Sequence, residues 1–466
     1  MRKKQGQQRS ILEKSETSRK WRAPGTPAML WTLFAVLLIA IIAVALWVWP
    51  GVLRGGDSAD LSAYGNNALD MAMLEPDAFN RLSGETPKLE VALEPLGKPF
   101  DELGEEGAKD DRLKAIRTSQ ADFRDVAFYR KSVRLDKDEL SYGGSYTAAD
   151  QLKWGNYLLA RNQLKTFRHW LDGFRLYFID ANGLVIPEVG ESGGVLTAHG
   201  DHHWPLQLQY VRLLLNAEKR EAVKHVRDDI FAQIELLLPI MREPPATESV
   251  TFPSILYPLT SSEAEPTPAP VDPEADRMHD VIALKDVDLW TLRALAINDD
   301  RFQSIYDYWE DKVVNAQIAE GIYAYGVRPS DGAYINTVGE PFAVYSYAAS
   351  QIALHLAEVG HDVDAFLDTA QSLLSSGGKL YASYHMVSLT PIDTDQNLAA
   401  LGDIGILAKL TERDLLAERA EAAARMQYAD LKESKVYGLF FREVSGDSYL
   451  IAAEDNLSLL LTGLYD

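Results

Sequence analysis

The chain has no cysteine. That excludes a disulfide frame, a thiolate metal site and a cysteine nucleophile. Basic residues are sparse as well, 46 Lys and Arg against 68 Asp and Glu, for a formal net charge of -22. Phosphate backbones are held by clustered cations, so no nucleic-acid partner is expected. There is no Gly-rich phosphate loop, and no Gly-x-Ser-x-Gly elbow to present a serine nucleophile. Histidines number only nine, and the spacing of His199, His202 and His203 is not an established ligand pattern. Neither a metal nor a cofactor is therefore expected.

One long hydrophobic run is present. Residues 31–49, WTLFAVLLIAIIAVALWVW, carry no charge, and Trp31, Trp47 and Trp49 stand at the ends. That length suits about 30 Å of hydrocarbon, with the tryptophans at the two interfaces. Before it lies a basic tail, with Arg2, Lys3, Lys4, Arg9, Lys14, Arg19, Lys20 and Arg22 against only Glu13 and Glu16. The positive-inside rule keeps this tail in the cytoplasm and sends the rest outside. The expected organisation is a cytoplasmic tail (1–28), one transmembrane helix (29–50), a membrane-proximal linker (51–105) and a main domain (106–466). A Pro- and Glu-rich insertion at 242–277 reads as a surface loop. The protein is thus expected in the cell membrane as a single-pass chain with its main domain extracytoplasmic.

In the main domain, helical periodicity recurs in pairs: 147–159 with 164–178, 204–216 with 221–241, 284–298 with 302–318, 338–359 with 363–374, and 394–409 with 413–426. A last helix, 452–464, is paired with a helix expected at 110–133. Short extended segments at 183–187, 321–335, 379–386 and 437–449 lie between them. Sequential helix pairs of this length point to an all-α (α/α)6 toroid rather than an open solenoid, because acids and aromatics recur at the same helix ends. Nine Trp and 21 Tyr supply a core and candidate sugar platforms.

The acids at those helix starts are Asp150, Asp201, Asp288 and Glu340. Hydrolysis of a glycosidic bond uses two carboxyl groups, one protonated to serve the leaving oxygen and one ionised to activate water or attack carbon. Asp150 is the candidate acid, and Asp288 or Glu340 the candidate base. Asp201, in the polar cluster TAHGDHHW, would orient the sugar with His202, His203 and Asp286. Trp204, Trp290 and Tyr345 are candidate stacking surfaces.

These segments resemble glycoside hydrolase family 8, within the six-hairpin glycosidases. Ala149-Asp150-Gln151, Tyr157 and Phe167 stand where that family opens its first hairpin with Ser-Glu. Asp201 with Leu213-Leu214-Leu215, and Asp286-Val287-Asp288-Leu289-Trp290, both resemble its Asp-led helix. The segment 335–340 resembles the entry to a later hairpin, and Gly438-Leu439-Phe440 with Asp455-Asn456-Leu457 the closing turn and last helix. The resemblance implies an inverting, endo-acting glycosidase of the kind tied to bacterial exopolysaccharide synthesis. The Glu of the first motif is absent, with Ala149 and Asp150 nearest. The expectation is a membrane-anchored hydrolase of a β-glucan or exopolysaccharide. The alternative is an inactive glycan-binding or scaffold subunit of an exopolysaccharide synthesis or export complex.

Overall fold

The computed structural model describes residues 91–99, 127–137, 139–192, 195–200, 202–223, 226–242, 281–340 and 342–465. All of them lie in the compact unit Leu61–Asp466. The expected membrane span and the 242–277 insertion lie outside the described residues, except that residue 242 ends a helix. Among the described residues no helix is long and apolar enough to cross a membrane.

Eleven α-helices are described: α1 (Ala148–Ala160), α2 (Leu164–Phe178), α3 (Trp204–Lys219), α4 (Val226–Arg242), α5 (Leu289–Asn298), α6 (Gln303–Val314), α7 (Ser346–Glu358), α8 (Asp364–Gly377), α9 (Leu398–Leu410), α10 (Asp414–Arg425) and α11 (Ala453–Thr462). The odd-numbered helices form a closed inner ring. α1 packs on α3, α3 on α5, α5 on α7, α7 on α9, α9 on α11, and α11 returns to α1. The even-numbered helices carry the chain back outside the ring, so the inner helices all begin at one rim.

Residue patterns explain the two layers. α2 is amphipathic: Phe167, Trp170, Leu171, Phe174 and Phe178 are buried at helical spacing, while Lys165 and Arg168 are exposed. α9 is surrounded, and every residue from 398 to 408 is buried. Gly402 allows its close approach to α11, since a Cβ there would fall 2.9 Å from the Ser458 carbonyl. Several inner helices are started by side-chain caps: Thr147 accepts from the Asp150 N–H, Asp288 from Thr291 and Asn397 from Ala400.

The all-α expectation needs an addition. Short antiparallel strands precede the inner helices and build the rim. Ser145–Thr147 pairs with Glu188–Ser192, which pairs with Val195–His199, with Tyr146 opposite Val189 and Val189 opposite Ala198. This sheet delivers the chain to α1 and α3. A four-stranded sheet, in the order Arg442–Ser445, Ser448–Ala452, Ser132–Asp136, Glu139–Tyr142, feeds α11. Ala343–Tyr345 pairs with Ser383–His385 ahead of α7.

The helix expected at 110–133 is corrected where it is described. Residues 127–129 and 132–136 are strands, and in the second the sheltered Val133 and Leu135 alternate with the exposed Arg134 and Asp136. Residues 91–99, read as part of the linker, pack on the folded unit. Leu96 is fully buried, and Gly97–Pro99 pairs with Ala127–Tyr129.

Candidate active site

Asp150 lies in the first turn of α1. Its backbone N–H donates to Thr147 Oγ1 at 3.2 Å, and the Thr147 hydroxyl donates back to Asp150 Oδ2 at 2.5 Å. The residue is 5% exposed. Burial pushes its carboxyl up to about 6; Glu454 adds to the rise, while Lys153, the Thr147 bond and Lys131 pull the other way. A buried acid of this kind holds its proton to higher pH than a surface carboxylate.

The groups around it come from three further inner helices. Lys153, one turn along α1, donates to the Tyr347 hydroxyl at 3.1 Å and to Ser458 Oγ at 2.9 Å. Its Nζ sits 5.4 Å from the centre of the Tyr347 ring, and Lys285 Nζ sits 5.7 Å from the same ring. Glu454, in the first turn of α11, also faces Tyr347. Burial raises the Tyr347 phenol well above its usual range. Asp403 of α9 accepts from Ser350 Oγ at 2.7 Å and Gln351 Nε2 at 2.8 Å. Burial pushes its carboxyl up to about 6, against Lys153 and these two bonds.

Beside this group stands a second patch. Lys285 and Asp286 are ion-paired at 2.7 Å. His203, at the start of α3, faces both; burial lowers it to about 4, so it is neutral at neutral pH.

Asp288 has different company. It is 1% exposed and caps α5, accepting from Thr291 N at 3.0 Å and Thr291 Oγ1 at 2.8 Å. Arg212 of α3 donates to Asp288 Oδ1 at 3.1 Å and makes two bonds to Glu358 of α7. Burial opposes ionisation of Glu358, but Arg212 and His355 outweigh it and hold the carboxyl down at about 2. Asp288, His355 and Glu358 have ligand atoms within 4.8 Å of one another. The guanidinium bonded to both carboxylates already supplies the cation there.

The structure brings Asp150 together with Lys153, Tyr347, Glu454 and Asp403, and sets His203 beside Asp286. Asp288 is joined to Arg212 and Glu358, and Glu340 is exposed on the loop before Ala343. Asp201 lies outside the described residues. His202 is pinned to a neighbouring loop, its ring meeting Asp180 at 3.3 Å and the Val185 carbonyl at 2.8 Å. Trp204 is buried against Trp309, and Trp290 is buried with Arg212 over its ring, so neither has an open face for a sugar. Tyr345 is half-buried and donates to the Val338 carbonyl at 2.6 Å. Sequence reasoning missed Lys153, Tyr347, Asp403 and Glu454. Glu454 stands next to the quoted Asp455 in a helix first turn. The others sit within helical patterns that look like ordinary faces.

No family model matches the sequence, and no curated protein matches it either. Solved structures do match. "A novel alpha-amylase from Clostridium perfringens" aligns over 71% of this chain and 89% of its own, at 16% identity and TM-score 0.55. A cold-adapted family 8 xylanase aligns over 82% and 96%, at 9% identity and TM-score 0.47. PssZ from Listeria monocytogenes aligns over 68% and 85%, at 14% identity and TM-score 0.44. The chain shares its fold, a ring of paired helices, with the Clostridium perfringens protein.

Proposed function

We propose that the protein is a membrane-anchored, extracytoplasmic glycoside hydrolase acting on a polysaccharide, a β-glucan or an exopolysaccharide, with Asp150 as its acid. The observation that carries the reading is the buried Asp150 carboxyl, pushed up to about 6 beside Glu454 at the rim of the ring. Two carboxyl groups in one site with different environments are the requirement of acid/base hydrolysis. Asp150 gives its proton to the glycosidic oxygen, and Glu454, partly exposed on the adjoining inner helix, is the second carboxyl group in place of Asp288 or Glu340. Asp286, His203 and Tyr347 line the approach and offer hydrogen bonds to sugar hydroxyls. Activity then falls as pH rises through about 6, where Asp150 loses its proton. The fold shared with the Clostridium perfringens amylase supports the class of reaction. The apolar run 31–49 and its basic flank support the anchor and the orientation.

A second reading, a glycan-binding or scaffold subunit of an exopolysaccharide synthesis complex, is favoured by Ala149. It is partly exposed where its neighbour Asp150 is buried, so the more open position carries a methyl group. Reducing-end release by the full chain in detergent separates the two. On the hydrolase reading, Asp150→Asn lowers kcat by about 10²–10⁴-fold with polysaccharide binding retained. Undiminished release by the variant removes Asp150 from catalysis. Binding without release by the wild type establishes the second reading.

A further inference from the structure

The rim sheet ahead of α1 and α3 carries a polar hollow for which hydrolysis by Asp150 and Glu454 has no use. Its volume is about 370 Å³, within the roughly 300–1,000 Å³ of ligand sites. The strand register explains it. Thr147, Glu188 and His199 stand opposite one another in one row, and Ser145, Gly190 and Thr197 in the next. Paired positions point to the same face of a sheet, so all six share one face. On the other face Tyr146 and Val189 are buried. Gly190, without a side chain, makes the hollow. A Cβ there would fall 2.6 Å from His199 Nε2 and 3.4 Å from Thr197 Oγ1. Five of the six positions border the hollow, and the sixth, Thr147, gives its hydroxyl proton to Asp150 Oδ2. Neighbouring strands lie about 4.8 Å apart, so the hollow begins one strand from the threonine that holds the candidate acid.

The walls select the ligand. Glu188 is ion-paired with Lys131 at 3.0 Å. Glu191 is ion-paired with Lys98 and accepts from the Tyr146 hydroxyl at 3.2 Å. Each carboxylate has its own ammonium, which disfavours a bound cation and a bound anion alike. Among the described residues, three carboxylate or imidazole ligand atoms converge only at Asp288, His355 and Glu358, elsewhere in the ring. The hollow instead offers mixed donors and acceptors. Thr197 Oγ1 donates to the Gly190 carbonyl at 3.4 Å and meets His199 Nε2 at 2.8 Å, an arrangement in which Nε2 donates and Nδ1 accepts. The Ser145 hydroxyl adds a donor and an acceptor. Sugar hydroxyls, donors and acceptors at once, fit such a lining.

We propose that this hollow is a binding subsite for an uncharged glycosyl unit next to the cleavage point, and that Glu188, Gly190 and His199 set a preference for neutral over uronate-bearing polysaccharide. A uronate placed here would meet the Glu188 and Glu191 carboxylates, and like charges set side by side disfavour the wrong partner. Placing the unit beside a scissile bond rests on the hydrolase reading, whereas its binding does not.

The test therefore measures binding. The full chain carrying Asp150→Asn, in detergent, is applied to an array of neutral and uronate-containing oligosaccharides, and the affinity of its strongest neutral ligand is measured by calorimetry. Neutral glycans are expected to bind, with uronate analogues of the same length at least tenfold weaker. In the same background, Gly190→Val fills the hollow and weakens the neutral ligand at least tenfold. His199→Ala removes only an exposed ring and weakens it about 3–10-fold, and it carries the test if Gly190→Val does not fold. Glu188→Gln frees Lys131 and narrows the preference against uronates, a shift that lost packing alone would not produce. No binding to any neutral glycan, or an affinity unchanged by filling the hollow and by His199→Ala, overturns the subsite. Equal affinity for neutral and uronate glycans overturns the preference. Reducing-end release by the wild type is scored separately. Hollow-dependent binding without release leaves the subsite standing and removes the hydrolase reading. Release that the hollow variants do not alter, with binding equally unaltered, removes the subsite and leaves the hydrolase reading standing.

Discussion

Asp150 and Asp288 invite comparison. Each stands at the start of an inner helix and is bonded to a threonine three residues away, the threonine being the cap in the first case and the aspartate in the second, and each is almost closed to solvent. They differ in the cation that meets them. Arg212 reaches Asp288 from α3 and spans on to Glu358, so a planar fork satisfies two carboxylates at once. Lys153 stands close to Asp150 but gives its hydrogen bonds to Tyr347 and Ser458. One acid is built into an ion-pair network, and the other keeps most of its burial cost. The same local signal therefore yields a strut in one place and an acid that holds its proton more tightly in the other. The deciding partner comes from a distant part of the chain.

The largest effect expected from this contrast is at Arg212. Arg212→Met leaves Asp288 and Glu358 buried without their cation, and breaking such a pair costs about 3–5 kcal/mol. A urea midpoint at pH 7 reads it. A variant as stable as the wild type would show that the network is not a strut.

Asp150→Asn acts in the opposite direction. The carboxyl rises from 3.8 to about 6 on folding. Its contribution to stability is thus complete below its unfolded value and is lost as pH rises through about 6. At 1.36 kcal/mol per unit, the loss at pH 7 is on the order of 3 kcal/mol. Asparagine removes that cost and keeps an acceptor for Thr147, so Asp150→Asn is expected to be about 1–2 kcal/mol more stable than wild type at pH 7. The gain disappears near pH 4. Glu358 has the reverse profile. Its carboxyl falls from 4.5 to about 2, so its contribution is present above 4.5 and is lost as acid approaches pH 2. Glu358→Gln is accordingly most damaging at neutral pH. Parallel slopes in the two variants would erase the distinction between the sites.

Much of the scaffold was legible. The expected helix at 164–178 coincides with α2, because its aromatic residues recur at 3.6-residue spacing on one face. The helix expected at 394–409 overlaps the buried inner helix α9, which starts later, at its Asn397 cap. The rim strands were harder to see, since three-residue strands such as Ala343–Tyr345 are too short to show alternation and were absorbed into the helix expected at 338–359. The site was only half visible. Asp150 was named from its position at a helix start. Lys153 and Asp403 were not, because each resembles an ordinary residue of its helix until the ring closes and α7 places Tyr347 and Ser350 between them. Asp288 carried the same signal as Asp150, and nothing local announces that Arg212 will neutralise it.

The smallest effect concerns the bond that both roles of Asp150 share. Thr147 is a helix cap through its oxygen and a hydrogen-bond donor to the acid through its proton. Thr147→Val keeps the shape and loses both. Loss of the cap costs about 1 kcal/mol. Loss of the donor removes a group that favoured the ionised carboxyl, so Asp150 holds its proton to still higher pH and the fall in stability with rising pH continues further. Thr291→Val is the donor-only control, since the Thr291 N–H keeps its bond to the Asp288 cap and Arg212 still holds the carboxylate at that helix start. The comparison is sharpened if Thr147→Val lowers the urea midpoint modestly at pH 4 and extends the pH-dependent fall to higher pH. It is broken if Thr147→Val and Thr291→Val behave alike at every pH, because the two carboxyl groups would then answer to their own helices rather than to the cations across the ring.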